Sequence, residues 1–386
     1  MKALFDTPVS RRGTGSMKWD EYGDADNVIE MWVADMDLRS PDCIVDALLR
    51  RVEHGIFGYT AVDGSFYDAL CGWFSRRHHW DIDRRKVIYT SGVVPAISAI
   101  IKAITRPGDA VAVMTPAYNC FFSSIRNNGC RLSDVPMLMT DDGYRIDFEA
   151  LDAALSDDRT PLLILCNPHN PGGRVWSRDE LQRVAEIAAS HSTFVISDEI
   201  HCELTFPGVD YTPFAPVADG YALKYATCVS PSKAFNTAGL QIACIVTSDA
   251  DTRRRVDRAI NDNEVCDVNP FGVIGLKAAY NEGGEWLDAL RVYLHDNYLR
   301  LARFIDENSQ LGWKLTPMEG TYLAWVNTTL SEKDGDTTAR LLLDRAGIRV
   351  SSGTSYGPGG EDFIRINLAC PRVTLKTALE RITDMK

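Results

Sequence analysis

The stretch Val229-Ser230-Pro231-Ser232-Lys233-Ala234-Phe235-Asn236 decides how the rest of this sequence is interpreted. It places a single lysine among small and hydroxyl residues, directly after the apolar-rich run Tyr221–Val229. This pattern predicts a buried strand that ends in a loop opening into a site. Lysine is rarely buried unless it is paired or reactive, and desolvation makes its amine available as a nucleophile or base. Taken alone, Lys233 could equally be an exposed loop lysine.

Short apolar strands alternate with helical stretches through the middle of the chain. Amphipathic stretches such as Pro95–Ile104 and Arg178–Ser190 separate most of the strands. This alternation is typical of an α/β fold with a largely parallel sheet, in which ligands bind beyond the carboxyl ends of the strands. The predicted strands are Val87–Thr90, Ala110–Met114, Arg131–Val135, Pro161–Cys166, Thr193–Ser197, Ala222–Val229 and Gln241–Thr247.

The sequence after about residue 280 predicts a smaller α+β domain. The N-terminal segment is expected to complete it, with a short strand at Val28–Val33 and a helix from Pro41 to Glu53 that Ser40 caps. We therefore expect a large domain at 45–280 and a small domain made of 1–44 and 281–386. The other predicted elements of the small domain are the helices Gly284–Asn308 and Thr337–Ala346 and the strands Leu311–Leu315, Tyr322–Val326 and Phe363–Leu368.

Composition and charge limit the possible partners. The 386 residues include 41 basic and 53 acidic side chains, and the net charge of −12 argues against a nucleic-acid partner. No apolar run approaches the ~18–20 residues of a membrane span, and the N-terminus has no apolar signal region. The ten cysteines are scattered without CxxC spacing, which favours free thiols in a reducing compartment. We expect a cytoplasmic protein without a metal site.

The turn after the strand Val87–Thr90 is a candidate anion site. Ser91-Gly92-Val93-Val94 is followed by Pro95, a favoured residue at the start of a helix. Free backbone N–H groups and the helix dipole at such a start bind anions, so Val93 and Val94 are candidate phosphate ligands. Because every βα unit has a turn of this kind, the signal is weak by itself.

Two polar residues follow other predicted strands. Asn170 lies in Asn167-Pro168-His169-Asn170-Pro171-Gly172-Gly173, and Asp198 lies in Ser197-Asp198-Glu199-Ile200-His201. A lone carboxylate at the end of a buried strand is unfavourable unless a cation pairs with it. A helix cap or a salt-bridged acid is the alternative interpretation of Asp198.

These motifs, with the lysine stretch, resemble in order and spacing the fold-type I pyridoxal-phosphate enzymes of the aspartate aminotransferase superfamily. The stretches Trp32–Asp37, Ser230–Asn236 and Arg365–Arg372 resemble its cystathionine β-lyase/C–S lyase branch. The resemblance covers nearly the whole chain. It implies a large domain with a mostly parallel seven-stranded sheet, a smaller α+β domain, and pyridoxal 5′-phosphate as cofactor.

The resemblance implies a role for each candidate cofactor ligand. Lys233 would bind the cofactor covalently and act as the catalytic base, and Asp198 would keep the ring nitrogen protonated so that the ring accepts electrons. Asn170 would donate to the phenolic oxygen of the ring, and His201 would share that oxygen or support Asp198. Tyr118 would cover the ring face, with plain core packing as the alternative.

The phosphate would be bound by the turn at Val93 and Val94 together with hydroxyl groups of the lysine loop. The resemblance supports Ser230 more than Ser232 for this role. Classical aminotransferases usually have a phosphate-binding arginine further along, whereas this chain has Gln241. That departure weakens a pure aminotransferase interpretation.

The substrate carboxylate requires a fork of donors, and Arg365 offers a bidentate pair where lysine could not. Arg372 competes by composition but follows Pro371, which favours a structural role. Asp35, with Trp32, is expected to line the entrance. Family members are dimers with shared sites, and Tyr59 would reach the cofactor phosphate of the neighbouring subunit, with a packing aromatic as the alternative.

The resulting functional hypothesis is α,β-elimination from cystathionine, cystine or related cysteine S-conjugates, which gives a thiol, pyruvate and ammonia. An aminotransferase that uses the same residues is the close alternative. A cofactor-binding regulatory protein is a second alternative. A nicotinamide-dependent oxidoreductase is disfavoured because the βα turns lack a Gly-x-Gly-x-x-Gly fingerprint with its downstream acid.

Overall fold

A seven-stranded sheet organises the larger part of the chain in the computed structural model, which describes residues 2–22, 27–262, 264–265 and 267–385. Its strand order is β2-β10-β9-β8-β7-β3-β4, and only β10 runs against its neighbours. The strands are β1 Ile29–Glu30, β2 Val87–Thr90, β3 Ala110–Thr115, β4 Arg131–Pro136, β5 Leu138–Thr140, β6 Gly143–Arg145, β7 Leu162–Cys166, β8 Phe194–Asp198, β9 Tyr225–Val229, β10 Ala243–Thr247, β11 Lys314–Leu315, β12 Leu323–Asn327, β13 Ile348–Arg349, β14 Ser351–Ser352 and β15 Phe363–Asn367.

Helices cover both faces of this sheet. Successive residues of β7 alternate between two apolar clusters, with Leu163 and Leu165 in one and Leu162 and Ile164 in the other, as the period of a strand requires. The helices are α1 Lys2–Phe5, α2 Met17–Asp20, α3 Asp42–His54, α4 Gly64–His78, α5 Val93–Ile104, α6 Asn119–Asn127, α7 Phe148–Leu155, α8 Arg178–Ser190, α9 Phe214–Ala218, α10 Ala250–Asn261, α11 Pro270–Glu282, α12 Gly284–Glu307, α13 Gly335–Leu341 and α14 Arg372–Thr383.

The ends of the helices follow local sequence signals. Ser177 and Glu180 form a reciprocal capping box at the start of α8. Asn269 accepts a hydrogen bond from the Gly272 N–H, and Pro270 occupies the first turn of α11. Each of the seven strands predicted for the large sheet is present in it, so the predicted alternation of strands and helices is confirmed.

The C-terminal part forms a second, antiparallel sheet of order β11-β12-β15-β14. The N-terminal strand β1 pairs in parallel with β13, so the two ends of the chain lie together. A π-helical turn at Leu342–Ala346 ends the helix predicted at 337–346. The predicted strand at 28–33 is confined to Ile29–Glu30, because the residues after it form an irregular segment.

One predicted cap is wrong. Pro41, not Ser40, is the N-cap residue of α3, and the cap makes no side-chain hydrogen bond. The Ser40 hydroxyl instead donates to the carbonyl groups of Phe235 and Asn236 in the lysine loop. Ser40 therefore ties the N-terminal segment to that loop, a contact between residues 195 apart that local sequence cannot reveal.

The described cysteines are all free thiols, and six of the nine are buried. Cys266 lies outside the described residues. None of the helices in the described part of the chain combines the length and apolarity that crossing a bilayer requires.

Candidate active site

A cavity of about 300 Å³ lies beyond the carboxyl ends of the parallel strands. Asp198 is the last residue of β8, and the loop after β9 supplies Lys233. The start of α5, which follows β2, closes another side. Most of the predicted cofactor residues line this cavity, namely Val93, Val94, Tyr118, Asn170, Asp198, His201, Ser232 and Lys233.

Lys233 is held with its amine inside the cavity. Its Nζ donates to the Ala34 carbonyl at 2.7 Å, across 199 residues of sequence. Burial, together with the positive charge of Arg365, lowers the pKa of Lys233 from 10.5 to about 8. A substantial fraction of the amine is therefore neutral near physiological pH, which suits a nucleophile or base.

Asp198 is a buried carboxyl, and few neighbouring groups stabilise its ionised form. Its Oδ1 accepts from the Ile200 N–H at 3.1 Å. Burial raises the pKa of Asp198 to about 7, although this hydrogen bond and the charge of Lys233 act in the opposite direction. The carboxylate form of Asp198 would therefore be strongly stabilised by a cation bound against it.

His201 is neutral in this site. Burial lowers the pKa of His201 to about 3, helped by the positive charges of Lys233 and Arg365. Its Nδ1 is buried, and among the described residues no group hydrogen bonds to it. No hydrogen bond joins His201 to Asp198 within the described chain, so the geometry favours a ligand oxygen over support of Asp198 as the partner of His201.

Arg365 extends from the middle of β15 towards the same region. Its NH1 donates to Asn170 Oδ1 at 3.2 Å, and its NH2 donates to the Trp32 carbonyl at 2.9 Å. The guanidinium also lies over the ring of Tyr356 at 4.8 Å. Arg372, the competing candidate, pairs instead with Asp6 and Asp296 away from this cavity, which agrees with a structural role.

Tyr118 lines the cavity as the residue that precedes α6. Burial raises the pKa of the Tyr118 phenol, so the hydroxyl stays protonated. Its ring packs edge-on against Phe121 at 5.7 Å, which leaves the ring beside the cavity rather than inside the core. Tyr118 can therefore cover a flat ligand.

The lining of the cavity at the start of α5 includes one of the two serines predicted to bind the phosphate. Ser232 and Gln241 line the cavity beside Val93 and Val94. Ser230 does not, because its hydroxyl is bonded to the Ile242 carbonyl at 2.7 Å and to the Ser232 hydroxyl at 2.9 Å. Ser230 therefore holds Ser232 in place, and the role that the resemblance implies for Ser230 as a phosphate ligand stays a prediction.

Two further candidates lie outside the cavity. The carboxylate of Asp35 is paired with Arg11 at 2.6 Å and faces Lys18 at 3.8 Å, so it is already neutralised on the outer side of its segment. Tyr59 is 99% exposed, and it does not line the cavity. Neither side chain lines the cavity within one chain, although the negative charge of Asp35 acts on Lys233 and partly offsets the lowering of its pKa.

The sequence alone missed several residues that shape the site. Ala34 lines the cavity, and its carbonyl accepts from the Tyr322 hydroxyl at 2.9 Å as well as from Lys233. Asn236, in the left-handed region with φ of 55°, bonds to backbone groups of Met36. No local pattern signals these contacts, since each joins residues about 200 or more positions apart.

Comparison with known proteins identifies the family. A model of the aminotransferase class I and II family matches residues 26–382. The chain belongs to this family. This class I and II family member is 40% identical over 381 residues to cystathionine beta-lyase PatB of Bacillus subtilis (strain 168), with 98% of each chain covered. It is 32% identical over 379 residues to protein MalY of Escherichia coli (strain K12), with 96% of each covered.

A solved structure supports the same assignment. The PLP-bound C-S lyase from Staphylococcus hominis matches with a TM-score of 0.91 and 31% identity, over 99% of this chain and 98% of that one. The fold of this family member is therefore the fold-type I architecture, as the resemblance implied. The resemblance to the cystathionine β-lyase branch is confirmed as well.

The described residues fit pyridoxal phosphate. Asp198 is a buried carboxyl that a protonated ring nitrogen would stabilise, and His201 Nδ1 is a buried polar atom without a partner among the described residues. Lys233 has a neutralisable amine in the same cavity, and the N-terminus of α5 presents backbone N–H groups to an anion. These features match the ring nitrogen, the ring oxygen, the reactive carbon and the phosphate of the cofactor.

Proposed function

We propose that this protein is a pyridoxal-phosphate-dependent C–S β-lyase. Its substrates are cystathionine, cystine or related cysteine S-conjugates, which it converts to a thiol, pyruvate and ammonia. The observation that supports this most is that Lys233 and Asp198 line one cavity and Arg365 donates to Asn170 in its wall, in a chain that is 40% identical along its length to a named cystathionine beta-lyase.

The cofactor residues divide the work. When bound, pyridoxal phosphate supplies a protonated ring that stores the electrons left on the substrate when the α-proton is removed. Lys233 would hold the cofactor covalently, and its free amine would take the proton from the substrate Cα. Asp198 holds the charge of the ring nitrogen, while Val93, Val94 and Ser232 bind the phosphate.

The substrate residues set the orientation. Arg365 binds the α-carboxylate through its guanidinium fork. Asn170 and His201 are proposed to bind the ring oxygen, and Tyr118 covers the ring and excludes water from the reacting face. Loss of the thiolate from Cβ then follows removal of the α-proton, and hydrolysis of the unsaturated product yields pyruvate and ammonia.

The aminotransferase alternative differs in the fate of the proton and requires a keto-acid acceptor. The test is the release of pyruvate and ammonia from L-cystathionine by cofactor-loaded protein without added keto acid. We expect steady release that Lys233→Ala abolishes. Amine transfer to 2-oxoglutarate without any release would instead assign the protein to transamination.

We also propose that the protein is a homodimer with shared sites. The loop before α4 exposes Ile56, Phe57 and Tyr59 at 67%, 54% and 99%, and α3 exposes Leu49 and Val52 beside it. An apolar surface of this kind is costly in water, and a second copy would cover it. In that dimer Tyr59 would reach the phosphate of the partner's cofactor. Sedimentation of an active protein as a monomer would refute this arrangement.

The proposed organisation has a large domain at 45–280 and a small domain built from 1–44 and 281–386. The pairing of β1 with β13 supports the grouping of the two chain ends. We propose a cytoplasmic location, in keeping with free thiols at each of the nine described cysteines.

A further inference from the structure

The irregular segment Trp32–Leu38, called the strap here, uses its backbone carbonyls in an unusual way. Five consecutive carbonyls, from Trp32 to Met36, each accept a hydrogen bond from a side chain that is distant in sequence. In a sheet or helix these groups would be paired with other backbone groups. The geometry of the strap is therefore set by the side chains around it.

The two functional cations are among these donors. Arg365 donates to the Trp32 carbonyl at 2.9 Å, and Lys233 donates to the Ala34 carbonyl at 2.7 Å. The acceptors are only two residues apart on the strap. The strap is thus the physical link between the lysine loop, which belongs to the large sheet, and β15 of the small sheet.

Two asparagines fix the strap to these same elements. Asn236, three residues after Lys233, accepts from the Met36 N–H and donates to the carbonyls of Met36 and Leu38. Asn367, two residues after Arg365, donates to the carbonyls of Val33 and Asp35. Each asparagine amide therefore donates to two strap carbonyls.

The outer side of the strap is held by charge. The carboxylates of Asp35 and Asp37 pair with Arg11, and Lys18 is buried against Asp37 at 2.8 Å. A shift of the strap relative to the lysine loop or to β15 would therefore break ion pairs as well as hydrogen bonds. It behaves as a spacer of fixed length between two reactive groups.

We propose that Asn236 and Asn367 are positioning residues that set the separation of Lys233 and Arg365, and so select substrates with the amine and carboxylate on the same carbon. This inference rests on the proposed function, in which the amine meets the Lys233 side and the carboxylate meets Arg365. A β-amino acid, with one more carbon between the two groups, fits the fixed spacing poorly.

The test compares two unreactive probes on cofactor-loaded protein. 2-Methylalanine and 3-amino-3-methylbutanoate both lack a hydrogen on the carbon that bears the amine, and the second has the longer spacing, so the binding of either is followed by the cofactor absorbance without turnover. We expect wild-type protein to prefer 2-methylalanine. Asn236→Gly, which tolerates the left-handed backbone, and Asn367→Ala should each reduce that preference by up to ~30-fold, because two donations to the strap of ~1 kcal/mol each are lost.

A matched control is available directly after α6. Asn128 also donates through Nδ2 to two acceptors, Ser98 Oγ and the Ser124 carbonyl, away from the strap. Asn128→Ala should keep the wild-type preference. If Asn367→Ala fails to fold, Asn367→Asp keeps the shape and the bond from the Ala369 N–H but loses both donations. An unchanged preference in folded variants of both asparagines would overturn the proposal.

A second measurement needs no cofactor. Amide hydrogen exchange in cofactor-free protein should show that Asn367→Ala exposes the Met36 amide, which Asn236 holds from the other side. Protection at Met36 that stays at the wild-type level would contradict a rigid strap. Absence of pyruvate release by wild-type protein would refute the lyase function but would leave both of these measurements intact.

Discussion

Replacement of Asp198 with asparagine should stabilise the cofactor-free protein while it weakens cofactor binding. Asp198 is buried, and its pKa is raised from 3.8 to about 7. At ~1.4 kcal/mol per pH unit, this displacement corresponds to an upper bound of ~4 kcal/mol for keeping the carboxylate buried without a cation. Asparagine has the same shape and no charge, so it removes this free-energy cost.

The sign of the pH dependence follows from the raised pKa. Below about pH 3.8 Asp198 is protonated in both the folded and the unfolded state, and its contribution to stability is complete. As the pH rises towards 7 the unfolded state loses its proton first, so the stability of the wild type falls. The stability of the Asp198→Asn variant lacks this decline. The difference in the free energy of unfolding between the variant and the wild type should therefore grow from pH 5 to pH 8.

The assay is urea unfolding of cofactor-free wild-type and Asp198→Asn protein at pH 5 and pH 8. We expect the variant to be more stable at pH 8 by ~2–4 kcal/mol, with a smaller difference at pH 5. Added pyridoxal phosphate should reverse the order, because only the wild type pairs a charge with the ring. A difference that does not increase with pH would refute the assignment of a costly buried carboxyl.

Three further predictions concern binding and stability. Arg365→Lys should raise KM for L-cystathionine ~10–100-fold in steady-state kinetics, because the bidentate fork is lost; an unchanged KM would assign the carboxylate to another group. Glu203→Gln should cost ~3 kcal/mol in urea unfolding at pH 7, since Glu203 is buried against His78 and Arg77. The pKa of Glu203 is held below 4.5 by these partners, so this cost should shrink as the pH falls below that value. Ser177→Ala should lower stability by ~1 kcal/mol through loss of the capping box, with cystathionine cleavage unaffected; a loss of activity would contradict a purely local role.

The elements with a strong local pattern were predictable from the sequence. The strand β7 and the helix α8 begin and end near the predicted residues, because buried apolar runs and a capping box are encoded within a few residues. Lys233, Asp198 and Arg365 were named from the sequence because each follows or lies in a predicted strand, and the structure places Lys233 and Asp198 in one cavity with Arg365 bonded to its wall, while their roles stay predictions.

Contacts over long sequence distances were not predictable. Ser40 matches a cap by its local sequence, yet its hydroxyl bonds to the lysine loop. Asp35 looks like an entrance residue until Arg11 and Lys18 are placed beside it. The Ser230 hydroxyl donates to the Ile242 carbonyl, and the Ser232 hydroxyl does not. The local sequence does not indicate which of the two serines makes this hydrogen bond.

The strap has a consequence for the time course of biosynthesis. The hydrogen bond between Arg365 and the Trp32 carbonyl closes a loop of 333 residues. At roughly 5–20 residues per second, Trp32 leaves the ribosome ~20–70 s before Arg365 does. During that interval the strap lacks its C-terminal donors, and water must satisfy its carbonyls. Completion of the substrate site therefore waits for the synthesis of β15, and cofactor loading on a shorter nascent chain would meet only the half of the site built by the large sheet.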